Sequence, residues 1–241
     1  LVGLVGSEMC IRDRANTALM FVLMFLLLNI VSNLPYSPRP ERTLLRLMKR
    51  YFRSVTFLLS QPQAGDGTHY DSWRDAYHLQ EISTLPGKIA TWASQANPKI
   101  LGEATVQQLP ALMSSLQALS FRQQELLEVR QLPQSPRLVA ALAADMQVWR
   151  EHALGALDLL STDPSQSVRF RRFRLEEQLT LIENRVEEIL NEAGSDMLEP
   201  EHRGNFYRLL GAYRGSSEAL LDFAELGANV DWAPWYEERF A

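Results

Sequence analysis

Residues 18–28 read ALMFVLMFLLL, an apolar run from Ala18 to Leu28 without a charged residue. Thr17 precedes it, and Asn29-Ile30-Val31-Ser32-Asn33-Leu34 follows before Pro35. The whole stretch reaches the lower limit for a membrane-spanning helix, roughly 17 to 20 residues. Beyond Pro35 comes PRPERTLLRLMKRYFRS, which sets Arg39, Arg42, Arg46, Lys49, Arg50 and Arg53 against Glu41 alone. Basic residues just after a span mark its cytoplasmic side. The expectation is one transmembrane helix over residues 15–35, followed by a mainly cytoplasmic chain over 36–241. A buried core helix is the plain competitor, because the strictly apolar core is short. A signal peptide fits less well, since Asn33-Leu34-Pro35-Tyr36 is a poor cleavage site.

Residues 1–14 read LVGLVGSEMCIRDR and show no periodicity. The run GSEMCIRDR resembles a translated sequencing-adapter remnant, so it is set aside from fold reasoning as non-native. Cys10, the only cysteine, falls inside it. The remaining chain therefore offers no disulfide, no Cys-ligated zinc and no thiol nucleophile. With 24 basic and 29 acidic residues the formal net charge is −5, which argues against a nucleic-acid partner.

From residue 36 onward the apolar spacing is helical. Leu44, Leu45, Met48, Phe52, Val55, Leu58 and Leu59 recur at three- and four-residue steps, which predicts an amphipathic helix over 40–61. Its basic residues Arg46, Lys49, Arg50 and Arg53 are candidate contacts to an anionic membrane surface, or a solvated face of a bundle helix. These residues belong to a juxtamembrane segment over 36–63. A helical bundle is expected over 64–228 and an aromatic tail over 229–241.

Asp71 or Ser72 caps the next helix, which Pro86-Gly87 is expected to break or kink. Thr105-x-x-Gln108 resembles a capping box and opens a helix to about Arg130. Ser135-Pro136 opens another to about Leu160, with Leu138, Leu142, Met146, Trp149, Ala153 and Leu157 on one face. Asp163-Pro164 repeats the signal for a helix to about Ala193 that turns Phe170, Phe173, Leu179, Ile182, Val186 and Ile189 inward. Glu199-Pro200 starts the last long helix, ended by Gly227. Trp232, Trp235, Tyr236 and Phe240 crowd the tail, too many aromatics to leave in water. No strand ladder or hairpin signal is present. The fold class expected is all-α: one transmembrane helix followed by an elongated antiparallel helical bundle.

Chemistry-bearing motifs are weak. Glu199-x-x-His202 has di-iron spacing but lacks the second such pair that those sites need. His69, His78 and His152 have no partner at metal-ligand spacing. Residues 169–174, RFRRFR, alternate base and aromatic and suit either an anion site or a solvated face, with Arg172 pairing Glu176. Glu183, Glu187, Glu188 and Glu192 read as a solvated acidic face. There is no Gly-rich phosphate loop and no G-x-S-x-G motif. No enzyme activity, cofactor or metal is expected.

Three blocks together resemble the fusaric acid resistance (FUSC) family of bacterial inner-membrane exporters. They are the apolar run with its Pro35 turn and RPERTLLRLMKRYFRSVTFLL, then LPALMSSLQALSFRQQELLEVR over 109–130, then NFYRLLGAYRGSSEALLDFAELGANVDWAPWYEERF over 205–240. The resemblance implies a fragment of an efflux transporter for aromatic carboxylic acids: the last span of a first membrane block, then the cytoplasmic region, stopping short of a second block. It also implies the lipid bilayer, the remainder of the transporter and a periplasmic adaptor as partners, with a homo-oligomer an open option. The location it implies is the bacterial inner (plasma) membrane. No substrate-binding residue carries over. The alternative reading is a membrane-anchored helical interaction or sensor module. Spans encoded upstream or downstream would favour the exporter.

Overall fold

The computed structural model describes residues 16–29, 40–62, 68–164, 174–193 and 200–236, with the backbone alone for 190–193. Among these residues all regular structure is helical. The elements are α1 (residues 16–29), α2 (Pro40–Ser60), α3 (Trp73–Ala93), α4 (Pro98–Leu101), α5 (Glu103–Val129), α6 (Pro136–Thr162), α7 (Leu175–Ala193), α8 (Pro200–Ala228) and α9 (Ala233–Tyr236). Residues 1–38 and 39–241 form two separate compact units.

The transmembrane expectation does not stand. No helix among the described residues is long and apolar enough to cross a membrane. The helix carrying the apolar run, α1, is described over residues 16–29. Its apolar side chains, Leu19 through Leu28, are all exposed. An all-α bundle is the fold class that remains, without the span.

In the second unit the long helices close a ring of neighbours. α2 packs on α3 and α6, α3 on α5, α5 on α8, α8 on α7, and α7 on α6. Residue pairs give the directions. Along α2, Arg50, Ser54 and Phe57 meet Glu81, then His78, then Arg74 of α3, so the two run antiparallel. Along α6 and α8, Asn205 bonds the Pro133 carbonyl just before α6, and Trp149 meets Tyr213 and Ser217, so these two run parallel.

The core follows the helical period. Leu44, Met48, Phe52, Val55, Leu58 and Leu59 of α2 are buried, and Phe52 reaches Phe223 of α8 at 5.4 Å between ring centroids. On α6, Leu138, Leu142, Trp149, Ala153 and Leu157 are buried and Met146 is half-buried. α8 places the small residues Ala212, Ser216, Ser217 and Ala219 among its buried aromatics, which lets its neighbours approach closely. Trp232 and Trp235 are buried as well, and α9 lies against α2 and α4. The tail therefore docks on the bundle as far as Tyr236. Phe240 lies outside the described residues.

The local expectations divide. Pro86 does not break its helix, since α3 runs through it to Ala93. Ser72 is the cap of α3, with a complete capping box to Asp75. Thr105 is not a cap but a buried residue inside α5, whose N-cap is Gly102 at φ +79°, a conformation that favours glycine. Ser135 precedes Pro136 as expected, yet its side chain makes no cap bond.

Candidate functional site

The basic residues of α2 divide by their partners. Arg46, Lys49, Arg50 and Arg53 are all exposed. Arg50, however, turns to α3, where its Nη2 donates to the Glu81 carboxylate and, at 3.1 Å, to the Tyr77 hydroxyl. Tyr77 donates to the same Glu81 oxygen at 2.8 Å, and Ser54 Oγ donates to the other at 2.7 Å. Burial by itself would raise the Glu81 pKa, but the bonds from Ser54, Tyr77 and Arg50 outweigh it and hold the carboxyl below its ordinary range. His78 Nδ1 lies 3.0 Å from Ser54 Oγ and its ring packs on Phe57 at 4.3 Å.

Serine, histidine and glutamate together invite comparison with a hydrolytic triad. The order of the bonds is wrong for one. In a triad the histidine stands between serine and acid and takes the serine proton. Here Ser54 stands in the middle and directs its proton to Glu81, and it is fully buried. The cluster ties α2 to α3.

A second polar group lies at the C-terminal end of α2. The carbonyls in the last turn of a helix have no partner inside it, and that end carries partial negative charge. α2 has no basic residue in its own last turn. Arg130, one residue past α5, supplies the charge: Nη1 bonds Leu58 O at 3.2 Å and Nη2 bonds Gln61 O at 2.6 Å. Nη1 also donates to the Tyr70 hydroxyl at 3.2 Å. Arg130 is only 1% exposed, so this cap is internal to the fold.

A cavity of about 190 Å³ opens between α6 and α8, with Pro62 also in its lining. Leu142, Phe206 and Leu209 are its buried floor, and Val139 and Met146 are half-buried along the wall. Ala143, Gln147 and Arg150 stand at its more open side. Arg150 is half-buried there, and its Nη1 donates to Gln147 Oε1 at 3.1 Å. Gln147 in turn donates to Glu151 at 2.9 Å. The titratable groups that act on Arg150 are Tyr213, Arg130 and Tyr70; burial lowers its pKa, the phenols raise it and the second guanidinium lowers it. An apolar floor with a cation beside it can take an amphipathic molecule.

Other candidate residues take structural places. Glu183 pairs with Arg214 of α8 and Glu188 with Arg185, so the acidic face of α7 is partly spent on ion pairs. Glu187 is exposed, and the side chain of Glu192 lies outside the described residues. Glu199, residues 169–173 and with them the Arg172–Glu176 pair also lie outside, while Arg174 is an exposed neighbour of Glu177. Among the described residues no group of three or more His, Cys, Asp or Glu side chains could hold a metal ion. Sequence reasoning passed over Glu81, Arg130 and Arg150, each a single charge with no motif around it.

The chain matches no protein-family model, no curated protein and no solved structure. The resemblance to the FUSC exporters is therefore not sustained, since it rested on the order and texture of three blocks rather than on a site. The transporter-fragment reading, the membrane-anchored module, the inner-membrane location and the bilayer, transporter and adaptor partners all depended on a span. No described helix is long and apolar enough to provide one.

Proposed function

We propose that the bundle is a non-catalytic binding module whose working site is the cavity between α6 and α8. One observation carries this reading: a half-buried guanidinium, Arg150, stands beside an apolar floor of Leu142, Phe206 and Leu209. The order of bonds through Ser54 supports binding over hydrolysis, because that hydroxyl is buried and its proton is already committed to Glu81. The cavity volume sets the scale. Pockets for drug-sized ligands are about 300 to 1,000 Å³, so about 190 Å³ admits something smaller.

A neutral apolar probe tests the reading without reference to charge. 1-Octanol titrated into the protein should give saturable binding by calorimetry. Ala143→Phe places a ring at the open side and should abolish it while leaving the melting temperature near that of the parent. Equal octanol binding by both proteins would remove the cavity as the site.

A further inference from the structure

The residues around the cavity mouth restrict what can enter it. Arg150 is the cation that lines the cavity, and Arg130, Tyr70 and Tyr213 are the titratable groups that act on it. Burial favours the neutral form of Tyr213, and burial likewise pushes Tyr70 up, to about 12. Neither phenol therefore supplies a negative charge at neutral pH. Arg130 donates to the end of α2 and to Tyr70 and is 1% exposed, which closes it to a ligand. Arg150 spends one bond on the amide oxygen of Gln147. A guanidinium has five N–H donors in a fixed fork, which suits a carboxylate held by two parallel bonds. A cation taken partly out of water beside aliphatic carbon gains most from an anion that brings its own apolar body.

Size follows from volume. A dry cavity of about 150 Å³ holds one benzene, a body of six carbons. About 190 Å³ extends that modestly, to roughly six to eight carbons. The wall is mainly aliphatic, from Val139, Leu142, Met146 and Leu209, and it suits a flexible chain as well as a ring.

Resting on the reading of this cavity as the binding site, we propose that its ligand is a short aliphatic monocarboxylate. The carboxylate pairs with Arg150 and a chain of six to eight carbons lies against Leu142, Met146 and Leu209.

Octanoate, 1-octanol and dodecanoate are the probes, titrated by calorimetry into the full chain and into Arg150→Gln and Ala143→Phe variants. Octanoate should bind the parent at least tenfold more tightly than octanol. Arg150→Gln should weaken octanoate by tenfold or more and leave octanol unchanged. Dodecanoate should gain nothing over octanoate, because its extra carbons find no wall. Octanol and octanoate binding the parent equally would overturn the carboxylate assignment while leaving the cavity reading intact. Failure of both to bind, or binding that Ala143→Phe does not disturb, would overturn the cavity reading itself. Melting curves of both variants establish that they fold.

Discussion

Ser120 Oγ donates a hydrogen bond of 2.9 Å to the carbonyl of Ile82, on a different helix and buried from water. Ile82 is the residue four before Pro86. In an uninterrupted helix the amide of residue 86 would serve that carbonyl, but proline has no N–H. The hydroxyl from α5 takes its place. This is why α3 continues through Pro86 where an isolated helix would be expected to break. The same Ser120 oxygen accepts from Gln124 Nε2 at 3.0 Å, which aims it.

Ser120→Ala should therefore cost about 1 to 3 kcal/mol, the penalty of leaving a buried acceptor unpaired. The cost should shrink in a Pro86→Ala background, where the restored amide serves Ile82. Urea denaturation of the four proteins closes the cycle. A coupling below about 0.5 kcal/mol would show that the two sites are independent.

Helix faces were legible because a 3.6-residue period writes burial directly into the sequence. Leu138, Leu142, Trp149, Ala153 and Leu157 are inward for that reason. What lay beyond reach depends on partners far along the chain. The proline of α3 is tolerated through a serine in α5, and the C-terminal end of α2 is capped by an arginine past α5. Periodicity does not carry such pairings. The apolar run at 18–28 misled for a related reason: composition gives hydropathy, but a span needs a helix both long and apolar enough, and no described helix is. The cavity was invisible because its lining comes from helices far apart in the chain, Leu142 on α6 and Phe206 and Leu209 on α8.

Trp149 is 1% exposed, packs edge-on to Tyr213 at 4.4 Å and donates from its indole nitrogen to Ser217 Oγ at 3.1 Å. Trp149→Ala should destabilise the fold by about 3 to 5 kcal/mol. Trp149→Phe keeps most of the ring volume but loses the donor, and a net loss of about 1 to 2 kcal/mol is expected. Denaturant midpoints at unchanged slope measure both. A change under about 1 kcal/mol for the alanine variant would contradict the packing described.

Arg130→Met should be more damaging than a surface charge deletion, because it strips Leu58 O, Gln61 O and Tyr70 OH of one shared donor. A loss of about 3 kcal/mol is expected from bonds to a charged group. Tyr70 adds an alkaline signature. Burial raises its phenol from an ordinary value of 10 to about 12, against the pull of Arg130. Its contribution to stability is complete below about pH 10, where the unfolded phenol would ionise, and is lost as pH rises toward about 12. Tyr70→Phe should flatten part of the fall in denaturant midpoint between those limits. An identical alkaline profile in parent and variant would remove Tyr70 from that role.

The network between α2 and α3 should report on the acid side. Burial lowers the His78 pKa from its ordinary 6.5, although Glu81 pulls the other way. Glu81 is held below its ordinary 4.5 because bonds from Ser54, Tyr77 and Arg50 exceed the effect of burial. Both groups take up protons more readily in the unfolded chain than in the folded one. Stability therefore rises with pH through each window. The His78 contribution is full above about 6.5 and fades as pH falls through its lower folded value. The Glu81 contribution is full above about 4.5 and fades as pH falls through its own. Denaturant midpoints measured from pH 8 to pH 3 should fall in two stages, and Glu81→Gln should remove the lower one. Ring-proton NMR should place the His78 midpoint below 6.5. A His78 midpoint at or above 6.5 would show that burial does not govern this ring, and that its place beside Ser54 and Phe57 is less enclosed than described.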